Sequence, residues 1–169
     1  SFYLLMSLDA HWFSTMFAVL VFTDIVQTGT AFVAVVAGLF VMTGTLKGFL
    51  NENHLHSLAK MVFAATGFWA YIYFCQHMLI WYANIPEETT YYIARTRGAY
   101  ALLFSVTMVL NWVVPFFGLL RRGPKKRPEL IVKVAVVVLV GRWLDLYMMI
   151  VPPFAPDGPP FGLWEIAGV

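Results

Sequence analysis

The chain has 169 residues, of which 60% are apolar, 17% aromatic and only 12% charged. A soluble domain carries about a quarter of its residues as charges, so this composition excludes a water-soluble globule, and its hydrophobicity excludes a disordered chain. A net charge of +2 is too small to point to nucleic acid, and the single cysteine, Cys75, excludes an internal disulfide.

The remaining class is an all-α, polytopic integral membrane protein. A helix crossing the hydrocarbon needs about 20 mostly apolar residues, and four stretches meet that length. They predict helices over 13–46, 55–82, 98–120 and 130–152. The first contains one ionisable group, Asp24, and is longer than a bilayer requires, so its first turns are expected in the interface or the helix is tilted. The second has Lys60 near its start and His77 near its end. The third has no ionisable residue. The fourth carries Lys133, Arg142 and Asp145. Continuous runs of this length argue against a membrane barrel, whose segments alternate over about ten residues. Turn chemistry separates the runs at 48–53, at Asn84-Ile85-Pro86 and at Arg121-Arg122-Gly123-Pro124, and residues 153–169 form a Pro-rich segment that cannot continue a helix. The whole chain reads as one transmembrane bundle.

Basic residues set the expected orientation. Arg121, Arg122, Lys125, Lys126 and Arg127 crowd one loop, which places it in the cytoplasm together with the loop at Lys47. Both ends of the chain and the loop with Glu87 and Glu88 are then outside, against the minority vote of Arg95 and Arg97. Trp12, Trp81, Tyr82, Tyr91 and Tyr92 are expected to form an aromatic belt at that outer face. The opening at Ser1 within an apolar run, and the apolar close at 165–169, read as a segment of a longer protein without a signal peptide.

Ionisable groups inside a span are costly and so are functional candidates with a partner to be named. Arg142 lies near the middle of its helix, and Asp145 follows three residues later on the same face. Two readings stay open for the pair: a buried ion-pair brace and a proton relay. Asp24 lies at a similar depth, with Gln27 and Thr28 at helical spacing from it. Tyr73, Gln76 and His77 make a second polar stripe, and Tyr100, Thr107 and Asn111 a third. Lys60 and Lys133 lie where their side chains can snorkel to the cytoplasmic interface. A b-type haem needs two facing histidines; His11 with His77 is the only geometric pairing, and no Cys-x-x-Cys-His occurs, so redox centres are expected on other subunits. Trp69, Tyr71, Tyr73 and Tyr82 supply the aromatic residues a quinone slot needs, although aromatics at this density also serve as packing or belt residues.

Three motifs are more specific. They are Leu4-Met-Ser-Leu-Asp-Ala-His-Trp-Phe-Ser-Thr-Met16, the block from His54-Leu-His-Ser-Leu-Ala-Lys60 through Phe68-Trp-Ala-Tyr71 to Trp81-Tyr-Ala-Asn-Ile-Pro-Glu-Glu88, and Arg142-Trp-Leu-Asp-Leu-Tyr147. Together they resemble a membrane subunit of alternative complex III, the bacterial quinol:electron-acceptor oxidoreductase. The match is to the second of its two large subunits related to the polysulfide-reductase (NrfD-like) anchor, the ActF family. The resemblance implies the second four-helix bundle of a ten-helix subunit in the bacterial inner membrane. It implies partners carrying multihaem cytochrome c and iron–sulfur clusters, a sister membrane subunit, and a terminal oxidase as a docking candidate. No cofactor is then expected on this chain, other than quinone or quinol at a slot beside Trp69 and Tyr73; no metal is expected. The resemblance implies a proton path, and Asp145, Arg142, Asp9, His11, Lys60 and Glu87 match its pattern. With the polar stripes, Asp145 is the expected titrating group, Arg142 tunes its charge, and Asn111, Tyr73 and Gln76 are hydrogen-bond links. Asp9, His11 and Glu87 form the outer exit, and Lys60 with His54 and His56 the cytoplasmic mouth. Asp24 and His77 depart from the family pattern and are secondary members, as does Ala10, where the pattern has proline. The competing expectation is a structural scaffold with no proton or quinone role.

Overall fold

In lipid, a backbone must satisfy its own polar groups, which apolar runs of this length do as helices. The computed structural model describes residues 5–8, 12, 14–44, 50–98, 100–120, 127–155 and 158, and these hold helices and turns with no strand. Six α-helices follow a short 3-10 turn at Met6–Leu8: α1 Met16–Thr43, α2 Glu52–Ala83, α3 Pro86–Thr96, α4 Tyr100–Met108, α5 Val114–Leu120 and α6 Pro128–Ile150. A π-helical turn, Val109–Val113, joins α4 to α5, so that Tyr100–Leu120 is one long helix. Three helices, α1, α2 and this composite, are long and apolar enough to cross a membrane. Helix α6 has 23 residues but carries Lys133, Arg142 and Asp145 within its body.

The four long helices alternate in direction around a square, in the order α1, α2, α4–α5, α6. The inward stripe of α1 recurs every three or four residues, as a helix face requires: Phe17, Leu20, Thr23, Gln27, Ala31, Ala34 and Gly38 are buried. Two apolar storeys result. Near α3, Phe17, Leu20, Trp69, Ile72 and Met149 pack with Trp12, Tyr91 and Tyr92. At the opposite end the storey is built of smaller residues, with Ala31, Ala34, Ala59 and Ala135 beside Leu55, Val62, Leu119 and Val138. Small side chains allow close helix approach, which is the main source of packing energy in a bilayer. Phe22, Ile25, Phe32, Phe74 and Phe117 point outward and are exposed.

The structure adds α3, an amphipathic helix that the apolar runs did not predict. Asn84 takes the left-handed conformation (φ 48°) that closes α2, and Pro86 opens α3 two residues later. Tyr91, Tyr92 and Arg95 are the buried face of α3. Three of the expected belt residues are therefore packing residues instead. Trp12 is buried and stacks on Tyr91 at 4.0 Å, while its indole N–H donates to the Glu88 carbonyl at 3.2 Å. Tyr91 and Tyr92 are also buried, and of the five expected belt residues Trp81 and Tyr82 are the exposed ones. Lys47, residues Arg121 to Lys126, and most of the Pro-rich segment lie outside the described residues.

The π-turn has a local cause. Pro115 has no N–H to give to the carbonyl four residues back and its ring crowds that carbonyl, which belongs to Asn111. The turn widens there, and Gln27 of α1 supplies the missing donor at 2.9 Å. Gly141 of α6 lets the widened turn approach: a methyl group there would lie 2.6 Å from Asn111 Oδ1 and 2.9 Å from Leu110 Cβ. Gly29 has nothing within 4 Å of the same position. Gly141→Ala is expected to cost about 1–3 kcal/mol by overpacking. Gly29→Ala should leave thermal unfolding in detergent at or slightly above the wild-type midpoint.

Candidate functional site

Between the two apolar storeys lies a polar layer centred on Arg142. Its side chain is buried, so each polar contact replaces water it has lost. Nε donates to Asn111 Oδ1 at 2.9 Å. One terminal nitrogen, Nη1, forms an ion pair with Asp24 Oδ1 and lies 3.4 Å from Asp145 Oδ2. The guanidinium carbon sits 4.4 Å from the ring centre of Trp69, a cation–π contact that α2 supplies. Asn111 also donates to the Gly141 carbonyl at 3.0 Å, fixing α4–α5 against α6. Gln27 extends the layer, donating to Thr66 Oγ1 at 3.2 Å as well as to the Asn111 carbonyl. All four long helices thus contribute a side chain.

The structure brings together Arg142, Asp145, Asn111 and Asp24, with Tyr73 close by, and leaves the other sequence candidates apart. Asp24, a secondary member by resemblance, is the direct partner of Arg142. Gln76, one turn from Tyr73 along α2, is buried beside a different hollow of ≈ 200 Å³ lined also by Ser14, Thr15 and Glu88. Neither atom of its amide has a hydrogen-bond partner among the described residues. His77 lies edge-on to Tyr92 at 4.9 Å. Lys60 is exposed at the opposite end of the bundle, nine residues or about 14 Å along α2 from Trp69. His54 accepts the Asn51 N–H at 3.2 Å as part of the cap of α2, which gives it a structural task. His56, half-buried, is on the same first turns of α2, away from the cluster. Glu87 is exposed in the first turn of α3. Asp9 and His11 lie outside the described residues.

Three hollows surround the polar layer. A groove of ≈ 560 Å³ between α2 and α4–α5 is walled by Trp69, Tyr73, His77, Phe104, Trp112 and Phe116. Its rim residues Tyr71 and Phe74 are exposed, so it opens sideways from the bundle. A second groove of ≈ 580 Å³ between α1 and α6 has Asp24, Arg142 and Asp145 at its base and Ile25, Phe32 and Trp143 in its walls. A small cavity of ≈ 20 Å³ lies between them, lined in part by Tyr73, Tyr92, Arg95, Thr107 and Asp145.

Arg95 is the residue that sequence reasoning missed most clearly. It is buried against Tyr91, 3.5 Å from that ring centre, and donates to the carbonyls of Met148 and Met149 at 2.9 and 3.2 Å and of Tyr91 at 3.0 Å. It therefore caps the last turn of α6, where carbonyls lack partners and a cation suits the helix dipole. Its neighbour Tyr92 is held as a neutral phenol, because burial pushes its pKa well above the ordinary tyrosine value and Tyr91 pushes further. Comparison with protein-family models gives no match, and comparison with curated proteins gives no significant one.

Arg142→Met is expected to destabilise the protein by about 3–5 kcal/mol, since it leaves two buried carboxylates without their cation. Adding Asp24→Asn and Asp145→Asn should recover a large part of that loss in thermal unfolding. Raising the pH above about 10, where an unfolded tyrosine ionises, should lower stability because folded Tyr92 stays protonated. Tyr92→Phe should flatten that alkaline slope.

Proposed function

We propose that the chain is a four-span membrane subunit of a bacterial respiratory quinol-oxidising complex of the alternative complex III type. The observation that carries this reading is a shared wall. Trp69 lies against the Arg142 guanidinium on one side and lines the aromatic α2/α4 groove on the other. A charge cluster that can hold or release a proton therefore abuts a slot shaped for a flat ring. Tyr73 and His77 supply the polar groups that a ring with two carbonyls or hydroxyls requires. In this reading quinone or quinol is the ligand of the groove. Haem c and iron–sulfur clusters belong to partner subunits, and this chain moves protons without holding a redox centre.

Helix α6 is the fourth span. Arg142 and Asp145 do not forbid it, because both face inward and Asp24 completes their charge. Lys133, exposed five residues after Pro128, can snorkel to the near interface. The basic loop at 121–127 puts that end of the bundle in the cytoplasm, and α3 with exposed Trp81 and Tyr82 at the outer, periplasmic face of the inner membrane.

The two carboxyls of the cluster act on one guanidinium, with Arg95 across the small cavity from Asp145 as the second cation. Uptake of one proton by either carboxyl changes the charge of the layer by one unit without exposing it to water, which is what a relay needs. The scaffold reading draws on the same geometry, since every carboxylate in the layer has a cationic neighbour. The two readings separate by experiment. With the assembled complex in vesicles, Asp145→Asn is expected to retain electron transfer from quinol and to release fewer protons per electron pair. Unchanged stoichiometry would favour the scaffold. A short-chain benzoquinone should quench tryptophan fluorescence saturably, and Tyr73→Phe should weaken that binding about tenfold, as loss of one buried hydrogen bond implies.

A further inference from the structure

The three hollows adjoin across the bundle: Tyr73, Phe104 and Met108 stand between the α2/α4 groove and the small cavity, and Asp145 and Met149 between that cavity and the α1/α6 groove. Tyr73 lines both the α2/α4 groove and the small cavity. Asp145 lines both the small cavity and the α1/α6 groove. This series runs from one side of the bundle to the other, whereas a path between the two ends would follow the helix axes.

The small cavity has the size and lining of a water site. Its ≈ 20 Å³ exceeds the roughly 10–15 Å³ that one water molecule occupies by this measure, and a buried water needs two to four polar partners. Tyr73 and Tyr92 each offer a phenol, Asp145 a carboxylate, and Thr107 a hydroxyl whose own proton already goes to the Leu103 carbonyl at 2.9 Å. Arg95 uses three of its five N–H groups on carbonyls, which leaves two to donate. The charged groups around Asp145 are Arg142 on its own helix, Asp24 on α1 and Arg95 on α3.

We propose that this cavity binds a single water that bridges Tyr73, Arg95 and Asp145, and that Tyr73 and this water pass protons crosswise between the two grooves. The transfer is one concerted shift. The Tyr73 phenolic proton moves to the water oxygen, a proton of that water moves to an Asp145 carboxylate oxygen, and Tyr73 takes its replacement from an O–H donor in the α2/α4 groove. The donor keeps the electron pair of the broken O–H bond as its conjugate base; no electron changes hands and no free phenolate forms. The proton-passing role rests on reading the α2/α4 groove as the site of a hydroxylated ring. The water site itself does not.

Infrared difference spectroscopy on the membrane-extracted protein, with its associated subunits and without added quinone, tests both parts. Replacing H₂¹⁶O by H₂¹⁸O should shift an O–H band of an isolated buried water, and Asp145→Asn should abolish or displace that band. At a pH low enough to protonate the Asp145 carboxyl, its proton–deuterium exchange should slow at least about tenfold in Tyr73→Phe, the equivalent of ~1.4 kcal/mol, while the exposed Ser105→Ala control leaves it unchanged. A high-resolution map of the wild-type protein, which needs no variant to fold, should show an ordered water between Tyr73 and Asp145. A spectrum insensitive to ¹⁸O, a map with no water there, or wild-type exchange in folded Tyr73→Phe would overturn the proposal. Failure of benzoquinone to bind, with the water band and its Tyr73 dependence intact, would overturn the quinone reading and leave the water site standing.

Discussion

The arrangement of the bundle follows from the need to satisfy one buried arginine. Arg142 has five N–H groups and a full charge in an apolar interior, and no single neighbour can meet both demands. Its ion-pair partner comes from α1, its neutral hydrogen-bond acceptor from the π-turn, its ring contact from α2, and a second carboxylate from one turn along its own helix. Each of these fixes a helix at one height and one rotation. Apolar faces alone would slide or rotate at little cost, because lipid competes equally well for them. The polar layer therefore specifies the bundle, while the storeys above and below it supply packing.

Pro115 shows how a small change in sequence reaches this centre. By depriving the Asn111 carbonyl of its helical partner, it frees an acceptor inside the bundle, and Gln27 uses it. The widened turn carries the Asn111 side chain toward α6, where Gly141 has no Cβ to obstruct it. A helix defect, a glycine and an amide from another helix thus form one unit. π-turns of this kind are frequent at functional sites, and here the turn sets the position of the group that holds Arg142.

Much of this was legible in the sequence, for definite reasons. Unbroken apolar length announced the four long helices, and the ends differ from the expected ones by only a few residues. Arg142 and Asp145 were readable as a pair because three residues on a helix return to the same face. Helix α3 was not legible, since Pro-Glu-Glu-Thr-Thr reads as loop until its buried Tyr91, Tyr92 and Arg95 are seen to share one face. The union of Asp24 with Arg142 spans 118 residues and no local pattern encodes it. Arg95 misled because a count of basic residues for orientation cannot distinguish a solvated cation from one that caps a helix. The same spacing of three puts Gln76 one turn from Tyr73, yet it lines a different hollow, because the hollow each side chain meets is set by the neighbouring elements and not by α2 alone.

The Asp24–Arg142 pair also bears on how the protein is made. A helix with the composition of α6 enters a bilayer poorly by itself, since Arg and Asp near its centre each cost roughly 2.5–3.5 kcal/mol on insertion scales. Helix α1 is synthesised before α6, so Asp24 has no Arg142 to pair with until 118 later residues have emerged. Helices α1 and α6 therefore depend on each other to neutralise a buried charge, although 118 residues separate the paired groups. Synthesis halted before α6 would leave Asp24 without its cation, a form that quality-control proteases could recognise.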